Sequence, residues 1–136
     1  MIETEDQRLL ELAMLARGRA YAPYSNFAVG AALLGASGEV YLGCNIENSA
    51  YPAGICAERG AFAAAIAAGE RDFVRLIVVA DLDRPVSPCG ICRQVISELA
   101  PQARIMLANL DGMVEETTAQ LLLPGAFTAS DLVRAP

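Results

Sequence analysis

The hydrophobic and polar positions along the chain change period several times, and each change predicts a new element of secondary structure. Apolar residues recur at helical spacing after Thr4, a candidate N-cap, and this pattern ends at Gly18. Two further stretches predict helices from about Cys56 to Ala68 and from about Cys89 to Leu99. Alternating or continuous apolar runs predict strands over residues 27–34, 39–44, 73–80, 104–108 and 113–117.

The order of these elements predicts the architecture. The segment from Phe73 to Ala80 is a nearly continuous apolar run rich in Val, which is typical of a strand covered on both faces. A covered strand needs helices on either side of its sheet. We therefore predict one α/β domain over residues 1–136, a three-layer α-β-α sandwich around one mixed sheet of about five strands. A short C-terminal helix is predicted to begin at Thr128 or Ser130.

Composition and charge exclude several classes of protein. No stretch approaches the roughly 18 apolar residues of a membrane-spanning helix. The first six residues are acidic where a signal peptide is basic, so we expect a cytoplasmic protein. Ten basic residues, all Arg, stand against sixteen acidic ones, giving a net charge of −6. Such a chain lacks the positive charge that holds phosphate backbones, so nucleic acid is not an expected partner.

The chain has no His at all. This excludes Ser-His-Asp and Cys-His catalysis, and it also excludes metal sites that contain imidazole. General acid and base chemistry therefore falls to carboxylates, Tyr or metal-bound water.

Cysteines carry the candidate chemistry. In the cytoplasm they are more typically metal ligands or redox groups than disulfides. Cys89 and Cys92 are three residues apart at the predicted start of a helix. At that spacing their side chains share one face, and the free N–H groups and the helix dipole favour thiolates. This pair alone is compatible with a redox centre, a structural zinc site or a catalytic one.

Cys56 favours the catalytic zinc site among these three alternatives, because it lies at the predicted start of another helix and Glu58 follows two residues later. Three thiolates leave the fourth tetrahedral position of zinc for water, which is the mark of a catalytic site. Glu58 is badly placed to bind the metal beside Cys56, but it can lean over the open position and exchange protons there. Zinc with three thiolates carries a net charge of −1, so Arg59 and Arg93 are candidate donors to the sulfurs.

Two segments resemble the zinc signature of the small, homotetrameric cytidine deaminases, in its three-cysteine variant. They are Cys56-Ala57-Glu58-Arg59 and Pro88-Cys89-Gly90-Ile91-Cys92-Arg93-Gln94. Residues 24–31, 43–48 and 122–127 agree with other segments of the family in the same order. The resemblance thus covers most of the chain, from about residue 20 to residue 127.

The resemblance implies hydrolytic deamination of cytidine and 2′-deoxycytidine to the uridines, with release of ammonia, as in pyrimidine salvage. It implies one Zn²⁺ per subunit, held by Cys56, Cys89 and Cys92. Glu58 is then the catalytic proton shuttle between the attacking water, N3 of the base and the leaving amine. Arg59 is implied as a donor beside the zinc ligands.

The same resemblance implies the substrate contacts. Phe27 corresponds to the ring that packs on the base, and Asn45 and Glu47 correspond to the pair that binds the ribose hydroxyls. Phe127 corresponds to an aromatic residue that reaches the site of a neighbouring subunit, which implies a homotetramer with shared active sites. The remaining expected contacts with substrate are Ala57 and Tyr51.

Other interpretations stay open. A related enzyme could deaminate blasticidin-type nucleoside antibiotics, although the Pro-Gly-Ala-Phe segment ending at Phe127 favours the plain nucleoside enzyme. A structural zinc module could use Cys44 as a fourth ligand without catalysis; otherwise Cys44 is a small buried apolar residue at a strand end. A redox Cys-x-x-Cys enzyme leaves Cys56 and Glu58 without a role. An enzyme that edits polynucleotides is disfavoured by the negative charge and the lack of Lys.

Overall fold

The computed structural model describes residues 3–133. Helices and strands in this part of the chain are α1 Thr4–Arg17, β1 Val29–Gly35, β2 Val40–Cys44, α2 Ala57–Ala67, β3 Phe73–Ala80, α3 Gly90–Leu99, β4 Arg104–Ala108, β5 Val114–Thr117 and α4 Ala119–Leu122. Two short 3₁₀ turns cover Tyr51–Ala53 and Ala129–Leu132. Across residues 3–133, none of the helices is both long and apolar enough to cross a membrane.

The strands form one mixed sheet in the order β2-β1-β3-β4-β5. Strands β3 and β4 are parallel, and the other neighbouring pairs are antiparallel. Helix α1 packs on one face, where Leu9 meets Ile77 and Val79 in one buried cluster. Helices α2, α3 and α4 cover the other face, where Phe62 and Ile96 belong to a second cluster. The predicted three-layer α-β-α sandwich with a five-stranded mixed sheet is therefore confirmed.

Two glycines let helices approach the sheet closely enough to fix the layers. A Cβ atom at Gly43 would lie 2.1 Å from the carbonyl oxygen of Ala57, at the start of α2. A Cβ atom at Gly30 would lie 2.0 Å from the carbonyl oxygen of Ala13 in α1. Only a residue without a side chain permits these contacts. Gly43 thereby seats the first turn of α2 directly against β2.

The start of α1 differs from the prediction. Its N-cap is Glu3, without a side-chain cap, and Thr4 is the first helical residue. Asp6 in the first turn is buried and pairs with Arg75 of β3 at 2.8 Å, and Arg75 also pairs with Glu116 of β5. Because a buried charge needs partners, the ion pairs of Arg75 with Asp6 and Glu116 connect the start of α1 to the sheet.

The carboxyl-terminal part also differs from the prediction. Helix α4, which follows β5, has only four residues and is too short to show a helical period. Thr128 does cap the next element as predicted, through a capping box with Asp131, but that element is a single 3₁₀ turn.

Strand β3 departs from the prediction at one position. Val74 is 44% exposed, so β3 is covered on both faces along most, but not all, of its length.

Candidate metal centre

The amino ends of two helices bring three sulfurs together. Cys56 is the N-cap of α2, Cys89 is the N-cap of α3, and Cys92 lies in the first turn of α3. Their Sγ atoms all lie within 4.8 Å of one another, and the Cys56 and Cys89 sulfurs are 3.6 Å apart. Tetrahedral zinc with Zn–S bonds of about 2.3 Å needs sulfurs about 3.8 Å apart. The spacing therefore suits one zinc ion.

The Cys56 sulfur lies where a thiolate is favoured. Hydrogen bonding from the Cys92 thiol and from Arg59 lowers the pKa of the Cys56 thiol to about 5. The Arg59 Nη2 donates to the Cys56 Sγ at 3.4 Å, as the sequence predicted, and the backbone N–H of Cys92 donates to the Cys89 Sγ at 3.5 Å. The same hydrogen bond to Cys56, together with burial, raises the pKa of the Cys92 thiol. Arg59 and the helix ends thus offset the negative charge that three thiolates create.

Two sequence-based alternatives fail on this geometry. Cys44, the last residue of β2, does not belong to the three-sulfur group, and its Sγ lies 3.6 Å from the carbonyl oxygen of Arg19. Cys44 is also only partly buried, not the buried residue expected. Arg93 does not donate to a sulfur; its guanidinium donates to Ser87, Pro88 and Leu122 instead.

Glu58 lies in the first turn of α2 and is 4% exposed. Burial raises the pKa of its carboxyl from 4.5 to about 7. It lines a cavity of about 320 Å³ together with the sulfur-bearing residues Cys56 and Cys89. A carboxyl that titrates near neutral pH beside a metal site is the expected form of a general acid and base.

The same cavity collects most of the predicted substrate residues: Phe27, Asn45, Glu47 and Ala57. The side chain of Asn45 is fixed by the backbone, since its Oδ1 accepts from Val29 N at 2.9 Å and its Nδ2 donates to Phe27 O at 2.7 Å. This arrangement joins the end of β2 to the loop that carries Phe27. The cavity therefore combines an apolar wall, a polar rim and a metal site.

Ser25 is a site residue that the sequence did not single out. Its hydroxyl and backbone N–H both donate to the Glu47 carboxylate, and the backbone N–H of Tyr24 also donates, at 2.9 Å. The hydrogen bond from the Ser25 hydroxyl is the main cause that lowers the pKa of Glu47. The Ser25 hydroxyl also accepts from Phe27 N at 3.0 Å. A serine in a Pro-Tyr-Ser-Asn loop usually makes a local turn, so its long-range role left no signal in the sequence.

Two predicted site residues lie outside this cavity. Tyr51 is 73% exposed and lines an adjoining cavity of about 360 Å³, where its ring meets that of Tyr24 edge to face at 6.1 Å. Phe127 is 58% exposed and does not line the cavity of its own chain. Its carbonyl oxygen accepts a hydrogen bond from Gln94 at 2.9 Å.

Comparison with protein families is decisive. The model of the "Cytidine and deoxycytidylate deaminase zinc-binding region" matches residues 3–108, a segment that holds all three clustered cysteines and Glu58. The chain belongs to the cytidine and deoxycytidylate deaminase family. The resemblance noted in the sequence is thereby confirmed.

Individual deaminases agree with this assignment. The chain is 54% identical to the cytidine deaminase of Sporosarcina psychrophila over 93% of both chains. It is 53% identical to that of Halalkalibacterium halodurans, over 93% of this chain and 96% of the other. The crystal structure of the Burkholderia pseudomallei cytidine deaminase superposes with a TM-score of 0.87 at 49% identity, covering 89% of this chain and 98% of that one. The similarity to these cytidine deaminases thus extends over most of the length of each chain.

The residues present fit the zinc ion that the deaminase family binds. Three thiols at suitable spacing are a donor set that zinc prefers, and Arg59 supplies a hydrogen bond to one sulfur. Within the described residues 3–133, the group that could hold a metal consists of these three cysteines alone, without a fourth protein ligand. That ligand count matches a catalytic zinc site more closely than a structural one.

Proposed function

We propose that this protein is a hydrolytic deaminase that converts cytidine and 2′-deoxycytidine to uridine and 2′-deoxyuridine. The observation that carries the proposal is the buried carboxyl of Glu58 in one cavity with the three-sulfur site. Cys56, Cys89 and Cys92 would hold the zinc ion, which when bound would supply a nucleophile from water at neutral pH. Relatives that are named cytidine deaminases, at 54% and 53% identity, support a cytosine nucleoside as substrate.

Glu58 carries the protons of the reaction. With a pKa of about 7, its carboxyl exists in both protonation states at neutral pH. It takes a proton from the attacking water and delivers it to N3 of the base as the new C4–O bond forms. It then takes the second proton from the new hydroxyl group on C4 and passes it to the amino group as the C4–N bond breaks and the C4 carbonyl forms, so that water and cytidine become uridine and ammonia. One buried carboxyl therefore serves as both base and acid.

The other cavity residues orient the nucleoside. Phe27, at the wall, is placed to pack on the base, while Ala57 lies next to Glu58 on α2. Asn45 and Glu47 offer an amide and a carboxylate to the ribose hydroxyls. Both side chains are held in place by backbone donors, so little rotamer freedom is lost when the substrate binds.

Glu47→Gln tests this binding role. We expect KM for cytidine to rise by about 10-fold or more with a smaller change in kcat, because a hydrogen bond to a charged group contributes about 1.5–3 kcal/mol. Steady-state kinetics measures the effect, and Glu115→Gln, at an exposed carboxylate on β5, is the matched control. An unchanged KM in the Glu47 variant contradicts the assignment.

A substrate panel tests the proposed activity as a whole. The absorbance change on deamination is followed for cytidine, deoxycytidine, a blasticidin-type antibiotic, deoxycytidylate and a single-stranded oligonucleotide. We expect rapid conversion of the two nucleosides and little conversion of the two phosphate-bearing compounds, because the chain has a net charge of −6 and no Lys. Preference for the antibiotic, or for a phosphate-bearing compound, rejects the nucleoside assignment.

We also propose that the enzyme acts as a cytoplasmic homotetramer in pyrimidine salvage. Phe127 supports shared sites, since it is exposed and lies outside its own cavity, with Leu121 and Leu132 exposed near it along the chain. Light scattering measures the mass of the assembly in solution, and we expect the mass of four chains. We expect Phe127→Ala to raise KM, and full activity from a monomer contradicts shared sites.

A further inference from the structure

Arg93 contacts three segments around the metal site without touching a sulfur. Its Nε donates to the carbonyl oxygen of Pro88 at 2.9 Å, and its Nη2 donates to the Ser87 hydroxyl at 2.6 Å. Its Nη1 donates to the carbonyl oxygen of Leu122, at the end of α4, at 2.6 Å. One half-buried guanidinium thus uses all three of its nitrogens on fixed oxygen atoms.

These contacts bear on the position of one zinc ligand. Cys92 is held within α3, whereas Cys89 is the N-cap and has extended backbone, with φ −68° and ψ 167°. The position of its Sγ therefore depends on the loop of residues 81–88, whose last two residues are the ones that Arg93 binds. The backbone N–H of Cys92 is a second tie to the Cys89 sulfur, at 3.5 Å.

The hydrogen bond from Arg93 to the carbonyl oxygen of Leu122 connects α3 to the carboxyl-terminal segment as well. Leu122 is buried, and the next residue along α3, Gln94, donates to the carbonyl oxygen of Phe127. Neighbouring residues of one helix turn therefore hold both the loop before Cys89 and the segment 122–127. A guanidinium suits this task because its donors form a rigid planar fork, which an ammonium group lacks.

We propose that Arg93 is a positioning residue of the zinc site. It holds the Ser87-Pro88 segment against α3 so that the Cys89 sulfur meets the sulfurs of Cys56 and Cys92 in the geometry that zinc requires. Arg59 neutralises thiolate charge through a direct contact, whereas Arg93 acts through the backbone. The inference rests on the three-sulfur site and stands apart from the identity of the substrate.

The test measures zinc affinity in the full-length protein. A chromophoric chelator competes for zinc with the wild type and with Arg93→Lys, which keeps the charge and loses the fork. Substitutions in the surroundings of metal ligands typically weaken affinity by about 10- to 100-fold, and we expect a rise of this size in the zinc Kd. The matched control is Arg71→Lys, because Arg71 also donates to two backbone carbonyls, at 3.0 Å, beyond the far end of α2.

Two comparisons separate positioning of the zinc site from general support of the fold. We expect the zinc-free Arg93→Lys protein to melt close to the zinc-free wild type, and we expect the Arg71→Lys protein to keep its zinc Kd within about twofold. An unchanged zinc Kd in Arg93→Lys, or an equal rise in Arg71→Lys, overturns the proposal.

A second variant covers the case in which Arg93→Lys does not fold. Ser87→Ala removes a single contact of the Arg93 guanidinium, at an exposed residue. We expect that variant to raise the zinc Kd several-fold, and no change there also overturns the proposal.

Discussion

We expect Glu58→Gln to remove nearly all turnover of cytidine while the protein keeps its zinc. The amide has the size of the carboxyl but cannot carry a proton between water, N3 and the leaving amine. General acid and base catalysis contributes about 10²–10⁴-fold to a rate, and here one group performs both transfers, so we expect a loss at the upper end of that range in kcat. An absorbance assay and a metal determination on the same sample measure both quantities.

The control for this variant is Glu98→Gln, at an exposed carboxylate on α3, which we expect to leave turnover and zinc content unchanged. Normal turnover in a zinc-loaded Glu58→Gln protein contradicts the proton-shuttle role. Loss of zinc in that variant instead makes Glu58 a metal ligand, which the mechanism excludes.

The buried carboxyl of Glu58 also has a cost in stability that depends on pH. Its pKa is about 7 in the folded protein against 4.5 ordinarily, so between these values the folded state binds more protons than the unfolded state. Stability therefore falls as pH rises through this window, by on the order of 3 kcal/mol for this group. Denaturant unfolding of the zinc-free proteins at pH 5 and pH 8 should show a smaller loss in Glu58→Gln than in the wild type.

We expect Cys89→Ser to abolish zinc binding at the three-sulfur site, and we expect Cys44→Ser to leave it intact. The first change removes one of the three sulfurs of the proposed zinc site, so we expect zinc to be lost during dialysis against a chelator and activity to fall to that of the zinc-free protein. The second change removes a thiol that stands apart from the sulfur group, beside the carbonyl oxygen of Arg19.

Metal content and cytidine turnover after dialysis check this pair of variants together. The pair also separates a catalytic site from a structural one with four cysteines. Zinc loss or unfolding in the Cys44→Ser protein would favour the structural module, and zinc retention by Cys89→Ser would contradict the ligand set.

The parts of the fold that the sequence predicts well are those with strong local patterns. Strand β3 spans Phe73–Ala80 as predicted, because a run of buried Val and Ile has no competing interpretation between two polar loops. The meeting of the cysteines was also predictable, since each lies at the start of a helix and such ends gather at one edge of an α/β sheet. The sequence also indicated Glu58 as a site residue, because it lies two residues after Cys56.

What the sequence does not predict depends on contacts between distant segments. Nothing local indicates that Arg75 is buried between Asp6 and Glu116, which lie 69 and 41 residues away. The direction of the Arg93 side chain was equally hidden, because a ligand neighbour on a helix can turn toward the metal or toward the loop. The side chain turns toward the loop, where the carbonyl oxygen of Leu122, 29 residues further along the chain, accepts a hydrogen bond from it.

X-ray absorption at the zinc edge of the zinc-loaded protein counts the sulfur neighbours of the metal. We expect three sulfur neighbours at about 2.3 Å and a single lighter neighbour, which Glu58 does not provide. We expect the same set of neighbours in Glu58→Gln. Four sulfur neighbours would make the site a structural one, and fewer than three would contradict the ligand set of Cys56, Cys89 and Cys92.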